Sequence, residues 1–271
     1  MPRNDLRATY GPWAVIAGAS EGIGAAFAHG AAERGLNTVL VARRPETLEQ
    51  VAASIRDRTA VDTRCITADL TTASATSEIV AATADLDVGL LVYCAGGDPD
   101  FTPFLDKTIE AAEGLLDRNC RTPMQLTHHY ARAMVDRGRG GIMILSSGAA
   151  FAGTSNIAVY GATKAFDMIF AEALWSELRG DGVDVLGVVM GETDTPSLRR
   201  TRHARGLAGP DDPVGHAATV DEVVAAAFAH LGRGPTCFGD RRIRTGARLI
   251  SPLPRGLMVR LMTRASRRTM G

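Results

Sequence analysis

The chain has 271 residues, of which 45% are hydrophobic, enough for one large domain or two small ones around a substantial buried core. Lysine plus arginine and aspartate plus glutamate stand at 30 each, so no global field argues for a nucleic-acid partner. Cys65, Cys94, Cys120 and Cys237 are widely separated and have no ligand-like spacing, which reads as four reduced cysteines in a cytoplasmic protein with no metal site.

Residues 1–10 are polar and carry Arg3, Asp5 and Arg7, unlike an ordinary signal peptide, and no apolar run reaches membrane-spanning length. Trp13-Ala14-Val15-Ile16-Ala17 reads as a strand. It runs straight into Gly18-Ala19-Ser20-Glu21-Gly22-Ile23-Gly24 and then an alanine-rich helix to Arg34. Glycines let such a turn approach a ligand closely, and the helix start beyond it offers unpaired N–H groups to a phosphate. A second strand over 37–42 ends at Arg43-Arg44. In a nucleotide-binding βαβ unit an acidic residue at that strand end selects NAD and an arginine accommodates the NADP 2′-phosphate, so NADP(H) is expected and NAD(H) is the second choice.

The alternation continues with a helix over 45–58, a strand over 63–67 ending at Asp69-Leu70, a helix over 73–84, and a strand over 88–93 ending at Cys94-Ala95-Gly96-Gly97. Near-continuous apolar strands separated by helices predict a parallel sheet covered on both faces, with ligands at the carboxyl ends. One helical region over 109–137 carries Asn119 at its middle. A strand over 141–145 then delivers Ser146-Ser147 to the same edge, and a small-residue loop over 148–156 follows. Tyr160 and Lys164 come next, four apart on one helix face; an ammonium beside a phenol favours the phenolate and brings a tyrosine into range for proton transfer. The chain has only two lysines, Lys107 and Lys164, and otherwise uses arginine, which points to a specific need for lysine here.

This helix is apolar almost all round, with Asp167, Glu172 and Glu177 as polar breaks, so it needs cover on more than one side and predicts a homodimer or homotetramer. A strand over 183–189 leads to Met190-Gly191. The arginine-rich stretch beyond it, to residue 218, has no strong period and reads as a mobile segment, suited to a substrate lid and equally compatible with a plain surface loop. A helix over 220–231 and a short strand over 236–238 complete one domain, residues 1–240. Residues 241–271 form a basic amphipathic extension of the same domain, with nine arginines and no acidic residue. The extension could lie on an anionic membrane surface, cover the substrate pocket or pack on a neighbouring subunit; Leu257, Met258, Leu261 and Met262 at helical spacing favour packing against protein.

With the glycine turn, Ser147, and Tyr160 to Lys164 in that order, the chain resembles the classical short-chain dehydrogenase/reductase family over about its first 240 residues. The resemblance implies an α/β fold with a single Rossmann-type doubly wound parallel sheet and helices on both faces. It implies cofactor binding by Gly18, Ser20, Gly22, Ile23, Gly24, Arg43, Arg44, Asp69, Leu70, Ala95, Gly96, Tyr160, Lys164 and Thr195. It implies catalysis by Asn119, Ser147, Tyr160 and Lys164; Ser147 is chosen over Ser146 because thirteen residues separate it from Tyr160, as in relatives. The family's Asn-Asn-Ala-Gly element is Tyr93-Cys94-Ala95-Gly96 here, without the amides that brace the strand end.

The implied reaction is NADPH-dependent reduction of a ketone or aldehyde, a small-molecule carbonyl substrate of apolar or lipid-like character. Ser147 and Tyr160 bond the carbonyl oxygen, Tyr160 supplies the proton, Lys164 holds the nicotinamide ribose, and Asn119 supports a water chain. The alternative is a non-catalytic NADP-binding regulator of the same fold, which has no need of all four residues.

Overall fold

The structure, a computed structural model, describes residues 6–98, 100–209 and 211–270, apart from the side chains of 268–270. The sequence features at Arg3, Asp5 and the Arg268 side chain lie outside the described residues. Strands β1 (Trp13–Ala17), β2 (Asn37–Ala42), β3 (Thr63–Thr67), β4 (Val88–Tyr93), β5 (Gly140–Ser147), β6 (Val183–Met190) and β7 (Thr236–Phe238) make one sheet. All pairs are parallel, in the order β3-β2-β1-β4-β5-β6-β7.

Because successive side chains point to opposite faces, each apolar strand feeds two cores. Ala14 and Ile16 of β1, with Leu90 and Val92 of β4, face one core, where they meet Phe27, Leu48 and Phe228. Val15 and Ala17, with Leu91 and Tyr93, face the other, where they meet Ile79, Leu126 and Met134. Helices α1 (Arg7–Tyr10), α2 (Gly22–Ala32), α3 (Pro45–Arg58), α4 (Ala75–Ala82), α5 (Ile109–Leu116), α6 (Thr122–Asp136) and α7 (Ala158–Leu178) come first in the chain. After them come α8 (Pro196–Ala204), α9 (Val220–His230), α10 (Arg241–Ile250) and α11 (Arg255–Met270). The first core is closed by α2, α3 and α9, the second by α4, α6 and α7.

The chain winds outward from β1 through β2 to β3, then returns to β4 and winds the other way. The reversal opens a crevice at the carboxyl ends of β1 and β4, where ligands of such sheets gather.

Two expectations change, and one left open is narrowed. The helical region over 109–137 is not continuous: residues Asp117–Arg121 form a π turn, in which the Thr122 N–H reaches back to the Asp117 carbonyl. Pro123, two residues into α6, has no N–H to give the Asn119 carbonyl, so the α pattern cannot run through. The stretch after β6 opens with an ordered helix, α8, capped by the Thr195 hydroxyl, which accepts from the Leu198 N–H at 3.2 Å. Thr195-Pro196 is itself a helix-start signal. The basic extension is two helices that pack on their own chain: Arg255 donates to the Phe151 carbonyl at 2.7 Å, the Ser155 N–H donates to the Thr263 hydroxyl at 3.4 Å, and Met258 is buried. Among the described residues no helix is long and apolar enough to cross a membrane.

Candidate active site

The turn after β1 is held by its neighbours. Gly18 has a φ of +91°, and a Cβ there would come within 2.8 Å of the Ala95 nitrogen at the end of β4, so both the conformation and the approach of the adjacent strand require glycine. No side chain caps the start of α2, which leaves the first-turn N–H groups for an anion. Glu21, at the cap position, turns away to ion pairs with Arg44 at 3.0 Å and with Arg200 of α8. Those arginines, Arg200 first, hold the Glu21 carboxyl below its usual range.

Two arginines end β2, and the structure separates their roles. Arg44 is occupied by Glu21, whereas exposed Arg43 lines a cavity of about 360 Å³ together with Thr67, Asp69, Thr72, Ser74 and Glu78. Burial works against the Asp69 carboxylate, but the Thr71 N–H at 3.0 Å and hydroxyl at 2.9 Å outweigh it and the carboxyl sits low. Leu70 does not line this cavity. It is buried in the core, and its carbonyl accepts from Thr122 at 2.9 Å, fastening the start of α6 to the end of β3.

Beyond β4 the braces that the sequence lacks as amides come from a phenol. Fully buried Tyr93 donates its hydroxyl to the Arg118 carbonyl, inside the π turn, so the strand end and the turn are joined. Asn119, the next residue, is fully buried and donates to Thr163 Oγ1 at 2.9 Å; Thr163 in turn donates to the Tyr160 carbonyl at 2.8 Å. Gly96 has a φ of +145°, and a Cβ there would stand 2.8 Å from Lys164 Nζ and 3.0 Å from Asn119 Oδ1. Its missing side chain is what lets the backbone pass beside both.

On β5 the two serines differ. Ser146 is buried and donates to the Lys164 carbonyl at 2.6 Å, a packing role. Ser147 is partly exposed at the strand's last position and accepts from the Ala149 N–H at 3.2 Å, which leaves its O–H available as a donor. Lys164 is buried, donates to the Leu145 carbonyl and to Asp167 Oδ2, both at 2.9 Å, and lies 5.9 Å from the centre of the half-buried Tyr160 ring. Burial opposes the Lys164 charge, yet Asp167 and Tyr160 outweigh it and the ammonium is held above its ordinary range.

Beyond the ends of β5 and β6 the extension forms one wall of the crevice. A second cavity, of about 330 Å³, adjoins Gly148 and is lined by apolar Phe151, Ile243, Ala247, Ile250 and Met262, with Glu192, His216, Asp240 and Arg242 also at its wall. Thr195 stands over the glycine turn, its Cβ 3.2 Å from where a Cβ of Gly22 would be.

The structure thus gathers Asn119, Tyr160, Lys164, Ala95 and Gly96 around one point, puts Ser147 at the adjacent strand end, and brings Thr195 to Gly22. Three groups escape a reading of the sequence: Tyr93, Thr163 and Asp167. For Asp167 a signal was present, since 160, 163, 164, 167 and 171 share one helix face and Asp167 falls within it.

A model described as short chain dehydrogenase matches residues 12–206. A 7beta-hydroxysteroid dehydrogenase of Collinsella aerofaciens is 36% identical over 243 residues, 88% of this chain and 89% of that protein. A solved 7beta-hydroxysteroid dehydrogenase structure superposes with a TM-score of 0.87 at 33% identity, covering 95% of this chain and 99% of the other. A short-chain dehydrogenase from Sphingobium yanoikuyae in complex with NADPH gives 0.77 at 30% identity, covering 91% and 95%.

Proposed function

The chain belongs to the short-chain dehydrogenase family and its relatives include 7beta-hydroxysteroid dehydrogenases, and on that premise we propose that it is an NADPH-dependent reductase of apolar, sterol-like ketones with Tyr160 as proton donor. The observation that carries this reading is the buried line from Asn119 through Thr163 to the Tyr160 backbone, with the Lys164 ammonium beside the phenol. A module that only binds a nucleotide has no use for such a line, which counts against the regulator reading.

The residues present fit a dinucleotide. The uncapped start of α2 suits the pyrophosphate, Arg43 over its cavity suits a 2′-phosphate, and Asp69 and Ala95 flank the path between. When bound, NADPH supplies the hydride. The chain's own groups do the rest. Ser147 and Tyr160 donate hydrogen bonds to the substrate oxygen and so stabilise the negative charge that develops on it. The phenol passes its proton to that oxygen, and Lys164 stabilises the phenolate left behind. Asn119 and Thr163 fix the first turn of α7, which sets where the phenol stands. The apolar wall of the second cavity supports a hydrophobic substrate, as does the likeness to hydroxysteroid dehydrogenases.

Replacing Tyr160 by Phe is expected to lower kcat for carbonyl reduction by about 10³-fold while leaving the Kd for NADPH within roughly twofold. Substrates are found by following NADPH oxidation across ketones, aldehydes, sterols and acyl thioesters. A Y160F enzyme with wild-type turnover on any of them would overturn the assignment.

The described residues also leave Phe104 and Leu105, in the turn before α5, and Ile109, Leu116, Met124 and Ile169, on α5, α6 and α7, exposed. An apolar face of that extent supports a homodimer or homotetramer built on α7. Light scattering should give a mass of two or four chains, and Ile169→Glu should reduce it.

A further inference from the structure

Asp167 has no part in the scheme above, and packing does not account for it. It is 1% exposed, with one carboxylate oxygen on Lys164 Nζ at 2.9 Å, while the other, Oδ1, is buried with no hydrogen-bond partner among the described residues. A half-satisfied buried carboxylate disfavours the folded state, so a residue of this kind in the second core calls for another reason to be there. Its place gives one. The Lys164 ammonium has three N–H bonds, of which one goes to the Leu145 carbonyl and one to Asp167; the ring centre of Tyr160, whose phenolate the lysine charge favours, lies 5.9 Å from the same nitrogen.

We propose that Asp167 is a positioning residue that clamps Lys164 beside Tyr160 and offsets part of its charge there, so that the pull of the ammonium on the phenol is tempered and the site is set for carbonyl reduction rather than alcohol oxidation. This rests on the reading of Tyr160 as the proton donor.

The groups around the pair are few. From β4 come Tyr93 and Cys94, from the π turn Arg118 and Cys120, from α7 itself Lys164 and Tyr160; β5 contributes only the Leu145 carbonyl and the Ser146 hydroxyl. Burial pushes the Tyr93 phenol and the Cys94 thiol far up and the Cys120 thiol up to about 11, so none of these carries charge in the neutral range. Arg118 is a constant cation. Asp167 is the exception, because burial raises its carboxyl to about 6 against the pull of Lys164. As pH rises through that value the carboxylate forms and the lysine charge is offset; as pH falls through it the offset is lost and the ammonium acts on Tyr160 in full.

The test is the near-ultraviolet absorbance of tyrosinate during a pH titration, taken as the difference between each protein and the same protein carrying Y160F. The chain has four tyrosines, and burial raises the phenols of the other three, Tyr10, Tyr93 and Tyr130, which keeps them clear of the signal. In Asp167→Asn, which keeps an acceptor for Lys164 but removes the charge, the midpoint should move down by about one pH unit. The pH at which alcohol oxidation sets in should move down with it. Asp167→Ser should match D167N, because charge and not shape sets the midpoint, and it serves in its place if D167N does not fold. Asp167→Glu should restore the wild-type value. An unchanged midpoint in a folded neutral variant, or an upward shift, overturns the proposal. Wild-type turnover by Y160F would show separately that the donor reading, and not the Asp167 inference alone, had failed.

Discussion

At the β2 end of the crevice the groups offered to a ligand are backbone N–H bonds and exposed charges, whereas at the β4–β5 end they are side chains sunk into the second core. Arg43 stands in solvent over its cavity; Lys164, Asn119 and Asp167 are all nearly inaccessible and are bonded to one another's neighbours. Exposed charges are screened and loosely coupled, so they can change without disturbing the fold, and they suit a choice between cofactors. Buried polar groups interact strongly and are satisfied only as a set, so they suit a proton transfer that must happen at one place. The difference teaches that the two ends should answer mutation in different ways.

After the loss of the Tyr160 hydroxyl itself, the largest response is expected where a methyl group would enter the buried end. Gly96→Ala puts a Cβ within 2.8 Å of Lys164 Nζ at a φ that alanine disfavours, and should lower kcat by about 10²-fold and stability by roughly 1–3 kcal/mol. Turnover and thermal unfolding measure the two; normal kcat with lowered stability would mean that Lys164 has room to spare. At the exposed end, Arg43→Asp should shift the ratio of kcat/KM for NADPH over NADH by about tenfold or more toward NADH, with unfolding unchanged. Arg44→Asp, which breaks the Glu21 pair instead, should shift that ratio less than Arg43→Asp does. Equal shifts from both arginines would erase the distinction drawn between them. The smallest effect belongs to the extension: a chain ending before Ser251 should raise KM for apolar ketones several-fold and leave kcat for small ones near normal. It should co-sediment with anionic liposomes no differently from the full chain.

Much of this could be read from the residues alone, because strands β1 to β5 and the turns after them follow from local patterns: apolar runs, glycines, and a polar residue at each strand's end. What resisted reading depends on partners far away in the chain. The π turn follows from Pro123 together with Tyr93, thirty residues apart in sequence: one withholds an N–H from the Asn119 carbonyl, the other donates its hydroxyl to the Arg118 carbonyl. Asp167 was read as a break in an apolar helix, since periodicity marks a face but cannot say that a charge on it will be buried with a partner three residues before. The helix α8 went unread although Thr195-Pro196 announces it, because its arginines hide any apolar stripe. The two arginines after β2 look alike in sequence, and only Glu21, across the glycine turn, tells them apart.

The fastening of α11 to the loop after Ser147 bears on how the molecule is made. Arg255 to Phe151 spans 104 residues of sequence and Ser155 to Thr263 spans 108, among the longest separations joined by a side chain in this chain. Both wait on a helix that leaves the ribosome after the sheet and the glycine turn, and on closure of the loops between. A chain emerging from the ribosome would therefore possess its sheet, its glycine turn and its buried lysine before the cavity beside Gly148 had a ceiling. Nucleotide binding and carbonyl chemistry, neighbours in space, would be acquired at different moments in the protein's synthesis.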